Sequence, residues 1–422
     1  MNSRSTMLAL CLLLSPHLLL VQSGTTEPPK SAVTPVSPAP PPPPPLSDSS
    51  WALGVRLYRA LRSDPSSVNP LFSPLLLASS LGALSEGSGG QTAGQIQDLL
   101  KPPSEAREPF GEQLSAALRS FVDANRTGFH VRSSSGVFTK QPPALSGAFA
   151  GLSQSRFMLR LQTLGKGDAE ADLKQLGDWA KAALGGEEGA PLEAEIEAEA
   201  GTMILANALR FKGLWERELS EESTDRRTFL GKKYTKVVMM HRAGLYRFHE
   251  DVDNMVQVLE VPLWGGKASL MLLLPFHVEN LARLDKLLTL ELLSKWLKRT
   301  AVTSAAVSLP KANITSALSL QRQLAALGLT DAWDQKVADF SGMSDQSKGK
   351  LHLGGVLHWA SLELGPKAGK GEADLEEENV EQPKMFYADH PFIILVRDNA
   401  TGALLLMGAL DHAEGELLHD EL

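Results

Sequence analysis

The chain has 422 residues, 43% of them hydrophobic and 21% charged, which is enough apolar sequence to bury a large core. Its formal net charge of −8 argues against a nucleic-acid partner, because nucleic acids attract basic surfaces. The only cysteine, Cys11, lies in an amino-terminal apolar segment and metal-site spacings are absent, so we expect neither disulfides nor a metal or cofactor.

Two segments precede the folded part of the chain. After Arg4, the apolar run Met7–Val21 leads to small residues, which predicts that residues 1–23 are a removed signal peptide. The run is shorter than the ~20 apolar residues of a spanning helix, so we expect no membrane insertion. Residues 24–47 are rich in proline and include six consecutive prolines, which predicts a disordered tail.

Helix signals begin at residue 48. A capping cluster at residues 48–50 precedes an amphipathic segment, and Ser73-Pro74 places a cap residue before a proline at the first helical position. Leu75–Leu84 then predicts an apolar helix that is buried nearly all round. Leucines at 320, 324 and 327, followed by Gly328, indicate another helix.

Short apolar runs of strand character dominate the later part of the chain. Because helices come mainly first and strands later, the pattern predicts one α+β domain over residues 48–411 and a carboxy-terminal tail over 412–422. The runs are Met203–Ala206, Val256–Val261, Ser269–Leu274, Ala305–Leu309, Phe392–Val396 and Leu404–Met407.

Several motifs between Trp51 and Leu410 resemble those of the serpin family. The resemblance implies a serpin fold with three β-sheets, about nine helices and an exposed reactive-centre loop before Phe386. The motifs are Asn69-Pro70-Leu71-Phe72-Ser73-Pro74, Asn207-Ala208-Leu209-Arg210-Phe211-Lys212-Gly213-Leu214-Trp215, Gly328-Leu329-Thr330-Asp331-Ala332, Ala338-Asp339-Phe340-Ser341-Gly342-Met343 and Phe386-Tyr387-Ala388-Asp389-His390-Pro391-Phe392.

The reactive-centre loop determines whether a serpin inhibits proteases, because an inhibitory serpin inserts its cleaved loop as a new central strand. The hinge segment here, Gly365–Asp374, contains Pro366, Lys367 and Lys370. Proline cannot donate to a central ladder and burying an unpaired charge costs several kcal/mol, so insertion should be strongly disfavoured. We therefore expect a non-inhibitory serpin. Hydrolase and zinc-protease motifs are absent, so we expect no enzyme activity.

Within the family, the chain resembles a collagen-binding chaperone of the endoplasmic reticulum. Met239-Met240-His241-Arg242 and the tract Pro383–His390 are among the stretches that carry this resemblance. It implies that Asp389 clamps an arginine of a Gly-X-Arg triplet in procollagen, while Tyr387 and Met385 pack on the triple helix. A carboxylate can accept two parallel hydrogen bonds from a guanidinium, a fork that lysine cannot reproduce.

The same resemblance implies contacts from neighbouring strands, each with an alternative interpretation. The implied residues are Arg227, with Arg226 as the competing assignment, Leu230, and Ser308 and His277 at the rim. A surface arginine is often only solvated. Asp389 also precedes a motif that serves the fold in serpins without a collagen client, and Tyr387 is compatible with ordinary strand packing.

The last four residues, His419, Asp420, Glu421 and Leu422, match a retrieval signal of the endoplasmic reticulum. They predict residence in its lumen, recycling by a retrieval-signal receptor, and a monomeric chaperone of the stress response. Sequons at Asn125, Asn313 and Asn399 predict a glycoprotein, with Asn399 exposed in a turn. A retained serine protease inhibitor and a serpin chaperone for a non-collagen client remain alternative functions.

The resemblance also implies that falling pH releases the client through histidine protonation. After Trp215 the collagen-binding relative has a histidine pair, whereas this chain has the acidic segment Glu216–Glu222. We therefore expect weaker or shifted acid release. The remaining candidate sensors are His241, His249, His277, His358 and His390, of which His358 fits a structural role better.

Overall fold

The computed structural model describes residues 49–65, 67–101, 115–119, 129–139, 145–165, 168–186, 202–278, 281–344, 351–369 and 377–418, and the account below refers to these. The predicted signal peptide and proline-rich tail lie outside the described residues. The described residues all belong to the same structural unit.

Helices are concentrated in the first half of the chain. Eight have both ends among the described residues, and residues 115–119 are also helical, in agreement with the expected number. The eight are α1 (Ser49–Arg62), α2 (Pro74–Glu86), α3 (Gly90–Leu100), α4 (Gly147–Phe157), α5 (Ala169–Ala183), α6 (Leu281–Leu287), α7 (Leu290–Arg299) and α8 (Gln321–Ala326). Within the described segments, no helix has the length and apolar character needed to cross a membrane.

Strands form most of the later part. They are β1 (Leu71–Phe72), β2 (Phe129–Thr139), β3 (Leu159–Thr163), β4 (Thr202–Gly213), β5 (Ser220–Leu230), β6 (Tyr234–Asp251), β7 (Val256–Pro262), β8 (Ala268–Pro275), β9 (Ala301–Pro310), β10 (Ala312–Ser319), β11 (His352–Leu364), β12 (Lys384–Tyr387), β13 (Phe392–Asp398), β14 (Leu404–Leu410) and β15 (Glu416–Leu417). All six apolar runs identified in the sequence lie within strands.

Helix α2 begins where the capping chemistry predicts. The Ser73 hydroxyl accepts a hydrogen bond from the Leu76 amide at 3.2 Å, and Pro74 occupies the first helical turn. From Pro74 to Leu84 every residue of α2 is buried, as the apolar sequence predicts. The Ser73 amide also donates to His358 Nε2 at 2.9 Å, which connects the start of α2 to strand β11.

The central sheet has five strands in the order β10-β11-β4-β2-β3. Strands β11 and β4 are parallel and directly paired, with Leu357 opposite Ala206. On one face of this sheet, Trp179 of α5 packs against Phe138 and Trp359, and the Phe138 and Trp179 rings meet edge to face at 5.3 Å. Helix α5 therefore covers part of one face, and the direct pairing of β4 with β11 leaves no strand inserted between them.

The second sheet has ten strands. The resemblance implied two smaller sheets beside the central one, and here they are continuous through β6. This 18-residue strand pairs with β5 along its first part, with β7 along its last part, and with β9 on its other side. Strand β12 forms an edge beside β9, and β15 also pairs with β6, so residues 416–417 of the expected tail lie against the sheet.

Candidate functional site

A row of polar side chains crosses three neighbouring strands near the β12 edge. In the registers of β6, β9 and β12, His241 lies opposite Ser308, and Ser308 lies opposite Tyr387. Directly opposed residues share a face of a sheet, so all three point to the same side. Met385 shares this side and is 59% exposed, whereas Phe386 between them is fully buried on the opposite side.

Asp389 follows the end of β12 on the same side. Its Oδ1 lies 2.8 Å from His390 Nδ1, and His390 Nε2 lies 2.7 Å from the Pro275 carbonyl oxygen. These two contacts fix the orientation of the His390 ring. Among the described residues Oδ2 of Asp389 accepts no hydrogen bond. One carboxylate oxygen is thus held in place and the other is available.

Strand β5 brings Arg227 and Leu230 next to this carboxylate. The Leu230 amide donates to the Asp389 backbone carbonyl at 2.7 Å. Arg227 is 59% exposed at its side chain and pairs with Asp225 at 2.6 Å. Arg226 faces the opposite side of the strand and contacts Glu416 at 3.4 Å. The structure therefore places Arg227, and not Arg226, on the side of Tyr387.

The charged side chains of Arg227, Asp389 and Asp225 all affect the pKa of the Tyr387 phenol. Partial burial raises the pKa of Tyr387, Asp389 and Asp225 raise it further, and the Arg227 guanidinium opposes them. The phenol therefore stays protonated at neutral pH and can donate a hydrogen bond. We define the edge face as Met385, Tyr387, Asp389, Arg227 and Ser308.

His277 lies beside the edge face. It is exposed and lines an open cleft with Phe276, Val278, Asp389 and His390. The structure thus places the residues that the resemblance implied near one another, but Ser308 is only 5% exposed and its hydroxyl contacts His241. Sequence reasoning missed Asp225, although its spacing of two from Arg227 would place both on one side of a strand. No group of side chains among the described residues could hold a metal ion.

The candidate histidine sensors differ in their surroundings. His241 is partly exposed and lies between Ser308 and Asp225, at 2.8 and 2.7 Å. Burial lowers the pKa of His249. His358 is fully buried, and desolvation lowers its pKa to about 3, so it stays neutral at neutral pH. Its contact with Ser73 gives it a structural environment, and the family resemblance implied a structural role for it.

The sequons also differ. Asn313 is exposed on β10. The expectation of an exposed Asn399 is wrong, because the residue is half-buried and its Nδ2 donates to the Gly266 carbonyl and the Ser269 hydroxyl at 3.1 and 2.9 Å. Asn125 and the predicted retrieval signal, residues 419–422, lie outside the described residues.

The first part of the hinge segment runs beside Trp215. The Trp215 amide donates to the Lys367 carbonyl, and the Gly369 amide donates to the Trp215 carbonyl, both at 3.0 Å. The Leu219 amide donates to the Pro366 carbonyl at the same distance. The segment therefore leaves the central sheet after β11. Residues 370–376 lie outside the described residues.

Comparisons with known proteins agree with this architecture. A family model described as Serpin (serine protease inhibitor) matches residues 48–412. Serpin H1 of Mus musculus is 34% identical over 89% of this chain and 90% of its own length. Serpin H1 of Gallus gallus is also 34% identical, over 89% and 93%.

Solved structures give the same picture. The structure of a tumour suppressing serpin matches with a TM-score of 0.74 at 25% identity, covering 86% of this chain and 98% of the other. Uncleaved ovalbumin matches with a TM-score of 0.75 at 21% identity, covering 87% and 100%, which reflects the fold alone.

Proposed function

Because the chain belongs to the serpin family, with Serpin H1 proteins among its relatives, we propose that it is a non-inhibitory serpin and a collagen-binding chaperone. It acts in the lumen of the endoplasmic reticulum, in keeping with the predicted signal peptide and retrieval signal, and it is not an enzyme. Its client is the procollagen triple helix, recognised at arginine side chains.

The observation that supports this proposal most is the geometry of the edge face. Asp389 offers an unoccupied Oδ2 beside an Oδ1 held by His390, and a guanidinium can bond both oxygens of one carboxylate. Tyr387 supplies a phenol and Met385 an exposed thioether on the same side. A triple helix presents its side chains outward, so such a face can reach an arginine without unfolding the client.

The decisive experiment measures binding of the mature chain, from about Gly24, to triple-helical peptides. One peptide contains a single Gly-Pro-Arg triplet among Gly-Pro-Pro repeats, and its control contains none. We expect binding at neutral pH that depends on the arginine. Equal binding to both peptides, or binding to neither, would contradict arginine recognition and leave a chaperone with a different client.

Protease inhibition is the main alternative function. One feature opposes it: the hinge segment carries Pro366 and Lys367, whereas a strand buried in the central sheet needs small uncharged residues. Incubation with a panel of serine proteases should give cleavage of the loop without a covalent complex. A complex that survives denaturing electrophoresis would establish inhibition instead.

A further inference from the structure

Asp225 occupies a break in the pairing of β5 with β6. The register passes from Glu221 opposite Met240 to Arg226 opposite Val238, so the regular pairing of β5 with β6 is interrupted between Glu221 and Arg226. Extra residues in one strand form a bulge, which redirects the side chains near it. Asp225 is the last residue of this bulge and lies beside the edge face.

The Asp225 carboxylate joins two residues of different strands. Its Oδ1 forms an ion pair with Arg227 Nε at 2.6 Å, and its Oδ2 lies 2.7 Å from His241 Nε2. The other ring nitrogen of His241 lies 2.8 Å from the hydroxyl of Ser308. Although partial desolvation raises the pKa of Asp225, the hydrogen bonds from His241 and Arg227 outweigh it and the pKa is lowered. Asp225 is therefore ionised at neutral pH.

This contact affects both the position and the charge of Arg227. The contact with Asp225 restricts the rotamers of the long, exposed Arg227 side chain. It involves only Nε, so both terminal nitrogens of Arg227 have no partner among the described residues. Arg227 lies three residues before Leu230 on β5, and the Leu230 amide donates to the Asp389 carbonyl at 2.7 Å; the charges of Arg227 and Asp389 also both affect the pKa of Tyr387. An uncompensated Arg227 would repel a second guanidinium approaching Asp389.

We infer that Asp225 is a positioning and specificity-determining residue of the edge face, which holds Arg227 toward the client and neutralises its charge so that an arginine-bearing triple helix can bind. The inference rests on the proposed function and adds a residue to it. With Asp225 present, Asp389 is left as the net negative charge of the face for the client arginine.

The test is a double-mutant cycle read by binding of the Gly-Pro-Arg peptide. We expect Asp225→Asn to weaken binding about tenfold, and Asp225→Glu to restore most of it. In an Arg227→Gln background, Asp225→Asn should change binding less than about twofold, because the residue acts through Arg227. A merely structural role would give equal losses in both backgrounds, and that result would overturn the inference.

Two controls keep the outcomes distinct. Asp253→Asn removes the same charge from an exposed turn between β6 and β7 and should leave binding unchanged. Asp225→Ser, checked with Asp225→Asn by thermal unfolding, provides an independent removal of the charge. If the wild-type chain binds in an arginine-dependent way and both variants bind as well as it does, only this inference fails. If the wild-type chain shows no arginine dependence, the proposed function fails as well.

Discussion

Asp389 combines a fixed and an available oxygen in one carboxylate. His390 holds Oδ1, so the orientation of the carboxylate is set before a client arrives. Asp389→Asn keeps an oxygen for His390 but removes the charge that a guanidinium needs. We expect a loss of about 2–5 kcal/mol of binding free energy for the arginine peptide, because a desolvated charge pair is broken. Isothermal titration calorimetry of the two peptides measures it directly.

The matched control for this change is Asp178→Asn, an exposed aspartate on helix α5. It should bind the arginine peptide as the unmodified chain does. Retained affinity in Asp389→Asn, with the control also unchanged, would remove Asp389 from the site and leave it with its contact to His390 alone.

The sequence was sufficient for residues whose roles follow from local spacing. Met385, Tyr387 and Asp389 alternate along one stretch, so their shared side could be predicted from the period of a strand. The spacing of Asp225 from Arg227 was visible in the sequence, but its contact with His241 could not be predicted, because it depends on the break in pairing between β5 and β6. Asn399 was misjudged because its partners, Gly266 and Ser269, approach from a distant part of the chain.

At the scale of elements, the hinge segment and strands β4 and β11 determine whether a cleaved loop can insert into the central sheet. β4 and β11 are directly paired, and an inserted loop would have to separate them. Pro366 would interrupt the new ladder and Lys367 would be buried without a partner. A cleaved loop should therefore stay outside the central sheet.

Thermal unfolding before and after proteolytic cleavage of the loop tests this expectation. We expect the Tm to change by no more than a few degrees, since no strand is added to the sheet. A variant with small uncharged residues at 366, 367, 370 and 372 is the matched comparison and should gain stability on cleavage. A rise of more than about 10 °C in the unmodified chain would contradict a non-inhibitory role.

Elements were predictable to different degrees. Helix α2 could be placed because Ser73 and Pro74 give its start by local chemistry. Strands β13 and β14 are buried throughout and appear as continuous apolar runs. The length of β6 and the existence of β5 could not be predicted, because many of their exposed residues are charged and because the central part of β6 pairs with the distant strand β9.

At the scale of the whole molecule, the serpin fold was predictable because its motifs occur in order along nearly the entire folded chain. The continuity of the ten-stranded sheet was not, since it depends on how one long strand is shared. The two layers that must stay together are the central sheet and the buried helix α2. His358 on β11 accepts a hydrogen bond from Ser73 at the start of α2, so it lies where the layers join.

This contact predicts how stability depends on pH. The buried His358 has a pKa of about 3, below the ordinary ~6.5, so below pH 6.5 the unfolded chain binds a proton that the folded chain does not. Its contribution is fully present above pH 6.5 and falls on acidification, by about 1.4 kcal/mol between pH 7.5 and 5.5. His358→Gln retains an acceptor without titrating, so its unfolding free energy in urea should fall less over this range. The unfolding free energy of the exposed-site variant His277→Gln should depend on pH as that of the unmodified chain does. Equal pH dependence in all three proteins would show that His358 is not the source of the effect.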